Sequence, residues 1–129
     1  MQQNEFRNAV KEQIDIEEND RVDEIIEAVL GTLSARISDD EAAHLAAQLP
    51  EPYKTIVGTE RRMESFNLGQ FFNRIAGKLR TGRGPATRYA QVVLNVLNDA
   101  VTAGELEDVV AQLPDEFAEL FEVSVPEGN

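Results

Sequence analysis

Two short stretches of the sequence contain residues that could bind a metal ion or an anion. Glu41 and His44 are separated by two residues. On a helix of a bundle, this spacing directs a carboxylate and an imidazole to the same side, as in iron and manganese sites. Residues 81–88 form a glycine-rich basic loop, in which backbone amides at a helix N-terminus and arginine side chains could bind phosphate, sulfate or carboxylate.

The wider sequence argues against a metal site at Glu41 and His44. A di-metal centre needs this pair twice plus two further carboxylates, whereas the second half of the chain offers Glu105 and Asp108. Glu41 also follows Ser38 by three residues, so we expect its side chain in a capping box. A metal-dependent hydrolase or oxidase would require these groups to converge in one pocket, and the sequence shows no such convergence. We therefore predict no metal, no cofactor and an exposed His44.

The basic loop is the better candidate for a binding site. Its candidate anion ligands are Arg80, Gly82, Arg83, Gly84 and Arg88. The loop is not a P-loop, because the pattern G-x-x-x-x-G-K-[ST] is absent. The alternative interpretation is a flexible turn with solvated arginines.

Composition excludes several classes of function. The 129 residues include no cysteine and one histidine, which excludes thiol catalysis, thiolate metal sites and multi-histidine centres. A net charge of -12 disfavours binding to nucleic acid or to an anionic membrane. No apolar run approaches the roughly 18 residues of a membrane span, and residues 1–15 lack the hydrophobic stretch of a signal peptide. We therefore expect a cytoplasmic protein that is not an enzyme.

The charges are segregated along the chain. Residues 65–98 contain no acid and carry Arg74, Lys78, Arg80, Arg83 and Arg88. The corresponding loop of the first half, residues 15–21, instead carries Glu17, Glu18 and Asp20. We hypothesise that the two loops are complementary surfaces, either within one chain or head-to-tail between chains, and that Arg74 and Lys78 extend the basic surface. Such a surface predicts that the chain binds a protein partner, which is either a different protein or a second copy of the chain.

An internal repeat organises the sequence. The tetrapeptide Ala-Gln-Leu-Pro at residues 47–50 recurs 64 residues later, and the same shift aligns Glu41 with Glu105. Near the start of the chain the offset becomes 65, which aligns Phe6 with Phe71. We predict one domain over residues 1–129 with repeats at 5–57 and 68–121, a linker at about 58–67 and a frayed tail at 124–129.

Each repeat has the pattern of four helices. Apolar residues recur three and four apart, and sustained period-two alternation is absent. Ser38 with Glu41, and Thr102 with Glu105, fit the capping box at the start of a helix. Each of these two helices is expected to end at a Leu-Pro pair. The predicted fold is all-α, with two tandem four-helix repeats packed into one helical bundle domain.

Two further sets of residues are interpreted as structural. The phenylalanines could be a base-stacking set, but their spacing favours the core; they are Phe66, Phe71, Phe72, Phe117 and Phe121. Gln48 and Gln112 could be ligand-facing amides, but a role in bonding freed backbone groups at the helix end is preferred.

The segments 41–57, 71–79 and 105–121 resemble the bacterial and archaeal domain of unknown function family 2267. The resemblance covers most of the chain and implies an all-helical fold and a prokaryotic source, but no activity. The leading functional prediction is a non-enzymatic helical interaction or assembly module. The alternative is a regulatory protein that binds a small anion or nucleotide through residues 81–88.

Overall fold

Helices account for all the regular structure in the part of the chain that is described. A computed structural model describes residues 1–59 and 63–122, which contain no strand, so the predicted all-α class is confirmed. The helices are α1 (Gln3–Lys11), α2 (Asn19–Ser34), α3 (Asp39–Ala46), α4 (Tyr53–Gly58), α5 (Leu68–Leu79), α6 (Arg83–Ala100), α7 (Ala103–Ala111) and α8 (Ala118–Glu122). A 3-10 turn, Asp115–Phe117, precedes α8. The predicted frayed tail at 124–129 lies outside the described residues.

The two longest helices, α2 and α6, lie at the centre of the fold. Helix α2 packs against α1, α4, α5 and α6, and helix α6 packs against α1, α2, α5 and α8. The first helix of each half, α1 or α5, therefore packs on the long helices of both halves. Both halves contribute to one core in this way. The duplication itself stays a sequence prediction.

Apolar stripes on the helices explain this packing. In α2, apolar residues three or four apart are fully buried, including Ile26, Val29 and Leu33. The predicted aromatic core is confirmed, because all five phenylalanines named above are at most 8% exposed. Phe71 is central to that group, with ring centroids 5.4 Å from Phe117 and 5.8 Å from Phe72. These rings fill the interior and are not available to stack on bases.

Near the start of each long helix, one arginine connects that helix to the other half of the chain. Arg21 Nη2 donates to the carbonyl of Leu79 at 2.9 Å, and Arg88 Nη2 donates to the carbonyl of Gln13 at 3.0 Å. These contacts satisfy carbonyls at or just beyond helix ends. They also place the α1–α2 loop and the α5–α6 loop at the same end of the molecule. Helix α3 begins past the other end of α2, whose 16 residues span roughly 24 Å.

A partly buried polar cluster joins α1, α2 and α4. The Asp23 carboxylate accepts hydrogen bonds from Arg7 Nη2 at 2.7 Å and from the hydroxyl of the fully buried Tyr53 at 2.6 Å. Gln3 Nε2 donates to the same carboxylate at 3.2 Å. The sequence analysis did not identify this cluster.

Candidate functional site

Helices α3 and α7 contact each other and begin in the same way. Ser38 Oγ accepts from the Glu41 backbone amide at 3.2 Å, and Thr102 Oγ1 accepts from the Glu105 amide at 3.2 Å. Half of each predicted capping box is therefore present. The other half of the box is a bond from the glutamate side chain back to the amide of the cap residue. That prediction is wrong for both helices.

Two glutamines supply the acceptors that the glutamates were expected to supply. Gln112 Oε1 accepts from the Ser38 amide at 2.7 Å, and Gln48 Oε1 accepts from the Thr102 amide at 2.8 Å. Each glutamine follows the third helix of its own half and caps the third helix of the other half. The glutamines do bond free backbone groups, as predicted. Their partners, however, are amides at the start of the opposite helix and not groups at the end of the glutamine's own helix.

The reciprocal glutamines leave the side chains of Glu41 and Glu105 available to face each other. Both residues are only 8% exposed, and the Oε2 atom of each is buried without a hydrogen-bond partner. Burial, a hydrogen bond to the Glu41 carboxyl and the charges of Glu41 and Asp108 raise the pKa of Glu105 to about 8. Two facing carboxylates resist simultaneous ionisation, so Glu105 holds its proton near neutral pH.

His44 completes the group. It is exposed, as predicted, and one ring nitrogen lies within 4.8 Å of a carboxylate oxygen of Glu41 and of Glu105. The sequence indicates no such convergence, and the structure corrects that expectation. The 64-residue shift is the sequence signal that could have revealed this cluster. It aligns Glu41 with Glu105, and the helices that carry them, α3 and α7, contact each other. The same shift pairs His44 with Asp108, which is exposed one turn after Glu105. We call Glu41, His44 and Glu105 the junction cluster.

We expect the substitution Gln112→Ala to lower the free energy of unfolding by about 1–2 kcal/mol, because the half-buried Ser38 amide loses its acceptor. Gln48→Ala is the matched control, since its bond to Thr102 is exposed and water can replace it. Urea unfolding of both variants measures the difference. Equal losses in the two variants would contradict this interpretation.

The predicted anion ligands lie around the start of α6. Arg80 ends α5 in the left-handed backbone region, with φ of 55°, and its side chain is exposed. Gly82 is the N-cap of α6 and provides no side-chain cap, while Gly84 is exposed in the first turn. Arg83 is exposed and its guanidinium lies 5.9 Å from the centroid of the Phe72 ring. Arg88 lies one turn further on, and its bond to Gln13 gives it a structural contact.

The two other predicted basic residues make internal contacts. Arg74 forms an ion pair with Glu64 at 2.6 Å and lies 4.1 Å from the centroid of the Phe66 ring. Lys78 Nζ donates to the Thr32 hydroxyl at 2.8 Å, which links α5 to α2. Arg74 and Lys78 therefore take part in packing of the chain itself.

The acidic loop lies beside the basic one. Glu17, Glu18 and Asp20 are all exposed. Within residues 1–59 and 63–122, none of them forms an ion pair with Arg80, Arg83 or Arg88. Opposite charges therefore face solvent at one end of the molecule, which we call the loop end.

A cleft of about 900 Å³ opens beside the basic loop, between α2, α4 and α5. Arg21, Lys78 and Arg80 line it together with Glu24 and Glu27. Burial and the charges of Asp23 and Glu24 raise the pKa of Glu27. The cleft therefore carries both signs of charge, which reduces its attraction for a free anion.

These features define a small helical protein with a charged loop end and a buried carboxylate pair at the opposite junction. The chain belongs to the family described as uncharacterized conserved protein (DUF2267), whose model matches residues 3–120. The resemblance inferred from sequence is thus confirmed. A search of curated proteins finds no match. None of the helices within the described ranges combines the length and apolar character needed to cross a membrane.

Proposed function

We propose that this protein is a non-enzymatic interaction module that associates with a second copy of itself through its loop end. The observation that carries the proposal is the pair of exposed loops of opposite charge with no ion pair between them in the described residues. Complementary charge fixes the orientation of two partners more than it fixes their affinity.

The position of the loops favours a two-fold arrangement. Since Arg21 and Arg88 hold both loops at one end, two copies that meet face to face form two pairings, each of one acidic loop with the partner's basic loop. A head-to-tail chain would instead need the two loops at opposite ends. We therefore propose a closed pair instead of the head-to-tail contact between chains, which was one of the two arrangements hypothesised from the sequence.

Light scattering and sedimentation velocity at about 0.05 M and about 0.5 M salt test the proposal. One variant carries Glu17→Lys and Glu18→Lys, and a second carries Arg80→Glu and Arg83→Glu. We expect each variant alone to be more monomeric than the wild type, because both of its loops then have the same sign. An equal mixture of the two variants restores complementary loops and is expected to associate.

The salt response and a matched control separate this proposal from general repulsion. Association through complementary loops weakens as salt rises, whereas screening of the net charge of -12 would strengthen it. The control variant carries Glu107→Lys and Glu119→Lys, which reverse two exposed acids away from the loop end. A wild type that stays monomeric at both salt concentrations, or a mixture that fails to associate, overturns the proposal.

A second candidate function is the binding of a small anion at the start of α6. It is favoured by the absence of a side-chain cap at Gly82 together with the exposed Arg80 and Arg83. Glu24 and Glu27 in the adjoining cleft oppose it. Titration with inorganic phosphate at constant ionic strength, followed by NMR of the Arg83 and Gly84 amides, distinguishes this candidate. Anion binding shifts those resonances even in the Glu17→Lys, Glu18→Lys variant, in which the loops are not complementary.

A further inference from the structure

The junction cluster has the composition of a metal site. Glu41, Glu105 and His44 each contribute one ligand atom, and these atoms lie within 4.8 Å of one another. We infer that the junction cluster binds one divalent transition-metal ion between the two halves of the chain. The inference is independent of the proposed self-association, because α2 separates the cluster from the loop end.

Unpaired buried oxygens of the two glutamates are the observation that points to a ligand. Glu41 Oε2 and Glu105 Oε2 are buried and accept no hydrogen bond. No ion pair found among residues 1–59 and 63–122 involves either glutamate. Burial of this pair without a counter-charge raises the free energy of the folded state. A cation bound at these oxygens removes that penalty and neutralises the pair.

The distances suit a small ion. Zinc binds nitrogen and oxygen ligands tetrahedrally at about 2.1 Å, so two ligand atoms of one ion are roughly 3.4 Å apart. The present separations, within 4.8 Å, must therefore shorten by up to about 1.4 Å when an ion binds. His44 is exposed, so its side chain has room to turn toward the two glutamates.

The kinds of donor atom define the class of metal. Two carboxylates and an imidazole suit zinc, manganese or iron, whereas magnesium and calcium prefer oxygen ligands alone. Asp108, at the position that corresponds to His44, is exposed, and its charge acts on Glu105. The exposed His44 and Asp108 mark the side from which an ion enters, and the two buried glutamates form the inner end. Such an ion would link α3 to α7.

The single histidine of the chain makes the test specific. Zn²⁺ is titrated into chelator-treated protein, with calorimetry for stoichiometry and NMR for the His44 ring resonances. We expect one Zn²⁺ per chain, a shift of those resonances that saturates at the same ratio, and much weaker binding of Mg²⁺. The variants Glu41→Gln and His44→Ala are expected to bind roughly tenfold more weakly or worse.

The control variant carries Asp39→Asn and Asp40→Asn, two exposed acids in the first turn of the same helix. It is expected to bind Zn²⁺ like the wild type. Circular dichroism confirms that each variant is folded, and His44→Ala, at an exposed position, keeps the test valid if Glu41→Gln unfolds. Unmoved His44 resonances, or binding that is equal in the wild type and the His44→Ala variant, overturns the inference.

Discussion

Replacement of Asp23 by alanine is expected to lower the free energy of unfolding by about 3–5 kcal/mol, since it removes one partner of a largely buried ion pair. The carboxylate accepts two bonds from the Arg7 guanidinium, at 3.0 Å and 2.7 Å, and one from the Tyr53 hydroxyl. Without it, the Tyr53 hydroxyl has no acceptor in a fully buried position and Arg7 loses its counter-charge. The substitution also disconnects α1 and α4 from α2.

The same cluster predicts a loss of stability in acid. Burial alone would raise the pKa of Asp23, but hydrogen bonds from Arg7 and Tyr53 and the charge of Arg7 lower it below its ordinary value of 3.8. A carboxyl group with a lowered pKa contributes stability above the unfolded pKa, and that contribution is lost as pH falls through the folded pKa. The wild type should therefore lose the contribution of Asp23 below about pH 4, and Asp23→Ala should lack this part of the acid dependence.

Urea unfolding at neutral pH and in acid measures both effects. Glu24→Ala is a matched control because Glu24 is the next residue of α2, and its ion pair with Arg21 is largely exposed. We expect that control to change stability by less than about 1 kcal/mol. Similar losses for Asp23→Ala and Glu24→Ala would show that the buried cluster contributes no more than a surface ion pair.

The sequence predicts the helices and core because both depend on local patterns. Apolar residues three and four apart identify the buried faces of α2 and α6, and Ser38 and Thr102 identify the starts of α3 and α7. Long-range polar contacts have no comparable pattern. Asp23 lies 30 residues before Tyr53, and nothing in either residue type indicates that they meet.

The junction cluster was missed for a related reason. A glutamate three residues after a serine has a local partner available, so the capping box is the natural prediction for Glu41. The choice between that partner and Glu105 depends on Gln112, which is 74 residues from Ser38 and takes the amide that Glu41 would have bonded. The repeat aligns these residues but does not tell which helices of the two halves touch.

The second large effect is expected at Glu105. Its pKa of about 8 in the folded state exceeds the ordinary value of 4.5, so the folded state retains a proton that the unfolded state releases. Stability from this group is complete below the unfolded pKa and is lost as pH rises from about 4.5 to about 8. We therefore expect Glu105→Gln to match the wild type in acid and to be more stable by roughly 2–4 kcal/mol at about pH 9.

Chemical unfolding across this pH range, with chelator present throughout, measures the difference. Glu107→Gln removes an exposed carboxylate from the same helix and should leave the pH profile parallel to that of the wild type. A gain that appears only for Glu105→Gln, and only as pH rises, identifies repulsion within the buried pair as the cause. A gain that is equal at all pH values would instead indicate better packing of the amide, and the proton on Glu105 would then have no role in stability.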